Sequence, residues 1–161
     1  MKKIFIMNLG TTSFKFKLYH FSAQHQQVLA SGEIESVGAA QSAYELQLGE
    51  AKREKGVIPI PDHGTGFSFC VDMLQKSDIL SGLEDLDAVG YKAVHGGNLS
   101  GTQPVDEALL AEMERVTPLA PAHNPIYLRA MKDFRARYPQ LKQVARFETS
   151  FHGTIPDCRT T

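Results

Sequence analysis

The sequence has 161 residues, of which 42% are hydrophobic and 22% are charged, so it is long enough for one compact domain and too apolar to be disordered. Seventeen Lys and Arg residues against eighteen Asp and Glu residues give a formal net charge of -1, without the basic surplus of proteins that bind nucleic acid or anionic membranes. Because no apolar run approaches the ~18 residues needed to cross a bilayer, we expect one soluble domain over residues 1–161.

The first half of the chain carries strand signals. Residues 3–7 form an apolar run, and residues 14–19 alternate apolar and polar side chains, which is typical of a half-buried strand. Together they predict a hairpin with a polar turn. A third strand is predicted over residues 28–37. Two shorter strands are predicted at residues 45–48 and 57–60, joined by a charged turn.

The second half alternates helices with strands. Apolar spacing predicts a helix of roughly a dozen residues from Gly66. Residues 88–94 read as a buried strand, and a helix over residues 105–116 would have Pro104 in its first turn. Asn124 and Pro125 predict a further helix start, with Asn124 as N-cap. The buried stripe of that helix is predicted as Ile126, Ala130, Met131 and Phe134, and a last strand begins near Leu141.

This order predicts an α/β fold in which a mixed five-stranded sheet is flanked by helices. The two cysteines, Cys70 and Cys158, lie far apart, and neither belongs to a CxxC pair. That usage favours a reducing cytoplasm over a disulfide framework or a zinc ribbon.

Four polar segments follow predicted strands or precede a helix, where ligands bind in open α/β sheets. The first, NLGTTSFK at residues 8–15, offers hydroxyl and backbone donors to a phosphate through Thr11 and Ser13, with Lys15 adding positive charge. The amide oxygen of Asn8 suits a hydrated Mg²⁺. The alternative is an ordinary polar turn, and the segment is not a Walker A loop.

The second segment is GYKAVHGG at residues 90–97. Lys92 and Val94 share one face of the strand, so a cation lies beside an apolar side chain, which suits a small carboxylate with a short tail. Alternatively, Lys92 extends along the sheet edge towards water and His95 is a structural histidine.

The third and fourth segments each carry one titratable candidate. His123, in PLAPAHNP, precedes a helix start, where it could donate to a phosphoryl oxygen, although a loop histidine without a ligand is the alternative. Glu148, in RFETSFHGTIP, ends a predicted buried strand, so it should meet a cation, a metal or a substrate proton. Pairing with Arg146 would be the purely structural alternative.

Taken together, these segments resemble the motifs of the acetate kinase (acetokinase) family. The family's Asn-Ala-Gly-Ser-Ser-Ser-x-Lys corresponds to residues 8–15, and its His-Arg-Val-Val-His-Gly-Gly corresponds to residues 91–97. Its Ala-Pro-Leu-His-Asn-Pro corresponds to residues 120–125, and its Phe-Asp-Thr-Ala-Phe-His-x-Thr-Met-Pro to residues 147–156. The resemblance spans the whole chain. It implies an actin-like, ribonuclease H-like domain of the kind found in sugar kinases.

The resemblance also implies a reaction, in which ATP phosphorylates acetate or propionate to give ADP and an acyl phosphate. Such transfer depends on positioning and on charge neutralisation. The family's motifs, carried over one by one, imply residues that position Mg²⁺, residues that contact the phosphates, residues that bind the carboxylate and its acyl chain, and two catalytic residues. The corresponding residues are Asn8 for the metal, Thr11, Ser13 and Lys15 for the phosphates, Lys92, Val94 and Ala122 for the carboxylate and acyl chain, and His123 and Glu148 for catalysis.

Three residues depart from the family pattern. Lys92 replaces an Arg and loses its planar two-point grip, and Glu148 replaces an Asp and moves the carboxylate outward by one methylene. Ala122 replaces a Leu, which would widen the acyl pocket. We therefore expect propionate or larger acids to be accepted at least as readily as acetate.

The family's second domain supplies the adenosine pocket, and no counterpart of it follows residue 161 in this sequence. We therefore expect an amino-terminal domain that catalyses little alone. Its expected partners are a nucleotide, a short-chain carboxylate, and either a second copy of the chain or the absent carboxyl-terminal domain. The alternatives are a non-catalytic binding or regulatory module on the same fold and, with a poorer motif match, a sugar or butyrate kinase.

Overall fold

A computed structural model describes residues 2–148, so Cys158 and the fourth motif after Glu148 lie outside the described residues. Within that range the chain forms eight strands and three α-helices, with short 3₁₀ turns at Leu83–Asp85 and Thr117–Leu119. The strands are β1 (Lys2–Leu9), β2 (Ser13–Phe21), β3 (Gln26–Glu35), β4 (Ser42–Leu48), β5 (Lys52–Ile58), β6 (Ala88–Ala93), β7 (Thr102–Pro104) and β8 (Gln143–Phe147). The helices are α1 (His63–Lys76), α2 (Glu107–Arg115) and α3 (Asn124–Arg137).

All the strands belong to one mixed sheet in the order β5-β4-β3-β2-β1-β6-β8-β7. The first five strands form an antiparallel meander, whereas β6 runs parallel to β1 and β8 runs parallel to β6. Parallel neighbours need crossover connections, which here contain α1 and then α2 and α3. The predicted α/β fold with a mixed sheet is confirmed, but the predicted number of five strands is wrong.

Two of the additional pairings lie at the edges of the sheet. β5 begins at Lys52, inside the predicted charged turn and before the strand predicted over residues 57–60, and it pairs along its whole length with β4. The charges are tolerated because an edge strand leaves many of its side chains in water. At the other edge, Pro104 ends β7 instead of opening a helix. α2 begins later, at Glu107, and the carboxylate of its N-cap Asp106 accepts a hydrogen bond from the Leu109 backbone N–H at 2.8 Å.

Helices α1 and α3 pack on one face of the sheet. There the ring of Phe67 in α1 lies 5.1 Å from Phe5 of β1 and 4.5 Å from Phe134 of α3. Phe134 in turn contacts Tyr91 of β6. We call this the covered face, and it carries the hydrophobic core.

The opposite face, here called the open face, carries a row of polar side chains, one from each of the first five strands. The register of the meander aligns them across the sheet. This polar row consists of Asn8, Lys15, Glu33, Glu45 and Lys55. It lines a groove of about 1270 Å³ that also includes Lys92 of β6. The open face therefore brings the ends of the first and sixth strands into one polar depression.

The start of α3 differs from the prediction. His123 is the N-cap residue and makes no side-chain capping bond, whereas Asn124 is fully buried as the first helical residue. Its side-chain amide donates to the backbone carbonyls of His95 at 3.0 Å and Met113 at 3.3 Å. Asn124 therefore ties three segments together rather than capping the helix.

None of the helices within residues 2–148 has the length and apolar character needed to span a membrane.

Candidate functional site

The loop after β1 is the hairpin turn of the first motif. The Gly10 N–H donates to the Ser13 carbonyl at 2.9 Å, and Thr11 is exposed at the tip. His63, the first residue of α1, places its Nε2 2.9 Å from the Gly10 carbonyl and 3.2 Å from the Ser13 carbonyl. Since carbonyl oxygens only accept, Nε2 carries the proton and bridges both sides of the turn. The loop is therefore held by a side chain distant in sequence.

The end of β1 is held by a second distant side chain. The hydroxyl of Tyr127, in the first turn of α3, accepts a hydrogen bond from the Leu9 N–H at 3.0 Å and donates to Asn8 Oδ1 at 3.2 Å. Burial is the main cause that raises the pKa of Tyr127 to about 12, and the negative charge of Glu148 adds to the effect. The carboxylate of Glu148 thus acts electrostatically on the hydroxyl that contacts Asn8.

Lys15 lies on the open face, where its ammonium pairs with Glu33 at 2.6 Å. It lines the same groove as Asn8 and Lys92. Half of the Lys15 side chain is exposed, so solvent screens this ion pair and the ammonium is free to meet another anion.

Lys92 and Glu148 form an ion pair at the carboxyl ends of β6 and β8. Glu148 meets a cation, as expected, and that cation is Lys92 rather than the Arg146 of the structural alternative. The expected burial of Glu148 is wrong, because the residue lies just beyond the last residue of β8 and is exposed. Arg146 is the register neighbour of Lys92, so Glu148 moderates a local excess of positive charge.

The two glycines of the second motif have separate physical roles. A side chain on Gly96 would come within 2.5 Å of the Phe147 ring, so this position must be small for the loop to approach β8. Gly97 has φ +63°, and a side chain there would overlap the carboxylate of Glu112. Glu112 accepts a hydrogen bond from the Asn98 N–H at 2.9 Å, which anchors the loop to α2.

Hydrogen bonds from Arg115 and then from the Asn98 N–H lower the pKa of Glu112 to about 2. The His95 ring accepts the Gly97 N–H at Nδ1, 3.0 Å away, so it supports the turn itself. Together these contacts fix the turn that immediately follows Lys92 and Val94.

The remaining predicted residues surround this group. Val94 is half-buried and packs against the core, whereas Ala122 and His123 are exposed in the loop that leads into α3. Among the described residues, Asn8, Lys15 and Lys92 share the groove and Glu148 joins them through its ion pair. The other candidates do not line the groove, namely Thr11, Ser13, Val94, Ala122 and His123.

The donor set has the chemistry of a magnesium site with few protein ligands. Within residues 2–148, no three His, Cys, Asp or Glu side chains converge on one point. Asn8 at the end of β1 and Glu148 after β8 nevertheless provide an amide and a carboxylate oxygen, on the two strands that flank β6 in the sheet. Mg²⁺ prefers oxygen ligands, retains several waters and commonly uses one or two carboxylates with substrate phosphates, so these residues fit it.

Sequence reasoning missed His63, Glu112 and Tyr127. Nothing in the local pattern marks His63 or Glu112. Tyr127 did have a signal, since it precedes Ala130, Met131 and Phe134 by three, four and seven residues and is 1% exposed. The predicted stripe began one residue too early, at Ile126, which is only partly buried.

Comparison with known proteins bears directly on this arrangement. The sequence profile of the Acetokinase family matches residues 3–160. The chain belongs to the acetokinase family. The acetate kinase of Campylobacter fetus is 40% identical to this acetokinase chain over 159 residues, which cover 96% of the chain and 38% of the relative.

Solved structures agree with the family assignment. The acetate kinase of Porphyromonas gingivalis superposes with a TM-score of 0.89 at 30% identity, covering 98% of this acetokinase chain and 40% of the neighbour. A propionate kinase from Francisella tularensis gives a TM-score of 0.83 at 27% identity, covering 97% of this chain and 39% of the neighbour. The expected actin-like fold class is thereby confirmed, and the acetokinase chain spans about two fifths of the length of the relatives it matches.

Proposed function

We propose that this chain is the carboxylate- and phosphoryl-binding part of an acetate kinase-like phosphotransferase. In the proposed reaction a carboxylate oxygen attacks the γ-phosphorus of ATP, the bond from that phosphorus to the ADP oxygen breaks, and an acyl phosphate forms. The observation that carries the proposal is the groove that Asn8, Lys15 and Lys92 share, with Glu148 paired to Lys92. Membership of the acetokinase family supports it.

The proposed roles of Asn8, Lys15, Lys92 and Glu148 follow from charge and position, and those of the remaining residues follow from the family motifs. Lys92 attracts the substrate carboxylate, with Val94 and Ala122 beside the acyl chain, while Asn8 and Glu148 hold Mg²⁺ through oxygen atoms. When bound, Mg²⁺ would neutralise charge on the transferred phosphoryl group. The phosphate donors are Thr11, Ser13 and Lys15 in the first loop, together with His123 before α3.

In the proposed site, Glu148 and the substrate carboxylate compete for the ammonium of Lys92. While Lys92 is paired with Glu148, an incoming carboxylate must displace another carboxylate. If Glu148 turns to a metal instead, Lys92 becomes free for substrate. Binding of the acid should therefore tighten when a cation occupies the oxygen ligands, which is a measurable coupling.

The proposal extends to the whole protein. Because the chain spans about two fifths of its relatives, the adenosine pocket is proposed to come from a further domain, and this chain alone should transfer little phosphate. We also propose a cytoplasmic enzyme that accepts propionate at least as readily as acetate, since Ala122 leaves room for the longer acid. Association with either a second copy of the chain or a further carboxyl-terminal domain stays a prediction.

A second candidate function is a binding module without transfer. The mutual neutralisation of Lys92 and Glu148 favours it, because that pair lowers the positive charge available to a phosphoryl group. The Lys92→Arg and Glu148→Asp double variant separates the candidates when it is made in a chimaera, in which residues 3–160 replace the matching part of the Campylobacter fetus enzyme. A transferase should gain activity from the double variant, whereas a binding module should form no acyl phosphate with either sequence.

Binding is tested first on the 161-residue chain itself. Nuclear magnetic resonance titration with acetyl phosphate and MgCl₂ should shift signals of Asn8, Lys15 and Lys92. Lys92→Ala should weaken the binding, whereas Lys55→Ala, which removes a lysine from the other end of the same groove, should leave it unchanged. Equal effects of the two variants, or no shifts in the native chain, would contradict the proposal.

Transfer is tested in the chimaera by trapping acyl phosphate with hydroxylamine. Loss of Lys92 should lower the rate by ~100-fold or more, as expected when a charge-stabilising group is removed from a transition state. Lys55→Ala is again the matched control. An undiminished rate in Lys92→Ala would overturn the assignment of this lysine.

A further inference from the structure

The hydroxyl of Tyr127 joins α3 to the end of β1 across 119 positions of sequence. The residue is 1% exposed, so its hydroxyl must find its partners within the protein. It finds two, the Leu9 N–H at 3.0 Å and Asn8 Oδ1 at 3.2 Å. Both partner atoms are polar groups that a phenylalanine could not bind, so the hydroxyl has a role beyond the packing of the ring.

The two hydrogen bonds have a fixed direction. A backbone N–H can only donate, so the hydroxyl oxygen of Tyr127 accepts from Leu9. Its single proton is then directed to Asn8, whose accepting atom must be Oδ1 rather than Nδ2. A chain of donors running from backbone to phenol to amide thus selects one of the two orientations of the Asn8 amide.

The hydrogen bond from Tyr127 still allows Asn8 Oδ1 to accept a second partner. An amide oxygen has two lone pairs, and Tyr127 uses one of them. Tyr127 leaves the second lone pair unused, and Asn8 is one of the residues that line the groove.

We propose that Tyr127 is a positioning residue that holds the Asn8 amide with its oxygen ready for a hydrated cation or a ligand donor. This inference rests on the proposed function, in which Asn8 is a ligand of the site. Tyr127 itself touches neither substrate nor metal and acts through Asn8.

The test compares Tyr127→Phe with Tyr138→Phe in the 161-residue chain. Tyr138 is the C-cap residue of the same helix, and its hydroxyl lies 3.1 Å from Ser68 Oγ. Its variant therefore also loses a hydroxyl contact, but one that does not involve Asn8. The first readout is the pair of Asn8 side-chain amide signals by nuclear magnetic resonance. Tyr127→Phe should move both signals towards the positions of a solvent-exposed Asn whose amide turns about the Cβ–Cγ bond, whereas Tyr138→Phe should leave them unchanged.

The second readout is the affinity for acetyl phosphate with MgCl₂. Tyr127→Phe should weaken it about fivefold, the size expected for one lost hydrogen bond. In an Asn8→Ala background the same substitution should have no further effect on affinity, because the residue acts through Asn8. A loss of stability alone would appear in both backgrounds.

The outcomes separate this inference from the proposed function. If the native chain does not bind acetyl phosphate, the proposed function fails, while the Asn8 signals still report on Tyr127. The inference is overturned if those signals are the same in Tyr127→Phe and the native chain. It is also overturned if the affinity loss persists undiminished when Asn8 is already absent.

Discussion

The two faces of the sheet are built from different interactions. On the covered face, Phe67 contacts Phe5, Phe134 and Tyr138 through their rings, and all this packing excludes water. On the open face the contacts are ion pairs between side chains that remain about half exposed, such as Lys15 with Glu33. The covered face therefore stabilises the fold, whereas the side chains of the open face can exchange their ion-pair partners for a ligand.

Two side chains connect these faces. Tyr127 and His63 belong to helices of the covered side, yet their polar ends reach the turn that leads out of β1. The site is therefore not carried by the exposed face alone. The packed helices restrain the turn after β1 through these two side chains.

The largest expected effect is on the covered face. Phe67→Ala should lower the free energy of unfolding by about 3–5 kcal/mol, because a fully buried aromatic ring is lost and the neighbouring rings cannot close the cavity. Urea denaturation followed by circular dichroism measures this. A change below about 1 kcal/mol would mean that the aromatic cluster does not dominate stability.

The second effect concerns the loop beside Lys92. Gly97→Ala should cost about 1–3 kcal/mol, because it adds both a strained backbone and an overlap with Glu112. Gly49→Ala is the matched control, since Gly49 also has a positive φ of 72° but open space around it. Equal losses in the two variants, measured by urea denaturation, would show that the Glu112 contact is unimportant.

The third effect is at the start of α1, where the carboxylate of Asp62 accepts the Thr65 N–H at 2.7 Å. Asp62→Ala should cost about 1 kcal/mol at neutral pH, the usual value of an N-cap, whereas Asp72→Ala on the exposed side of the helix should cost much less. Chemical denaturation of both variants at neutral pH provides the comparison. Equal losses would argue against a capping role for Asp62.

The contribution of Asp62 should also depend on pH. The hydrogen bond from Thr65 holds its pKa below the ordinary value of 3.8. Its stabilisation is therefore complete above pH 3.8 and is lost as the pH falls through the lower value of the folded state. Denaturation series of the native chain and Asp62→Ala should converge in acid, and a constant difference would contradict this cause.

The smallest effect belongs to the open face. Lys15→Ala should change stability by less than about 1 kcal/mol, because its pair with Glu33 is solvent-screened. Thermal denaturation at low and high salt measures it. A larger loss would break the contrast between the faces, and an unchanged affinity for acetyl phosphate would remove Lys15 from the proposed phosphate contacts.

Sequence patterns predicted those strands and helices whose apolar side chains recur with a regular period. Alternation in β2 and helical spacing in α1 are local signals, and both elements form near their predicted positions. The strand predicted over residues 57–60 was placed too late, because most residues of β5 are charged or glycine and its strand conformation comes from pairing with β4. β7 was missed because a three-residue strand that ends in proline carries no period.

The candidate site was predictable as far as its motifs are local. The order of polar segments pointed to Asn8 and Lys92, which the fold brings to one groove. The support behind them was not predictable, because the contacts of Tyr127 and His63 join residues more than 50 positions apart. Side-chain partners at such separations depend on helix docking, which no local pattern specifies.

Both margins of the sheet are protected against joining another molecule's strands. At one margin, β5 carries three consecutive charged residues, Arg53, Glu54 and Lys55. A neighbouring chain would have to desolvate these charges to extend the sheet. At the other margin, β7 is three residues long and ends in Pro104, which has no N–H to offer. The charges that make the start of β5 resemble a turn are thus a safeguard against aggregation.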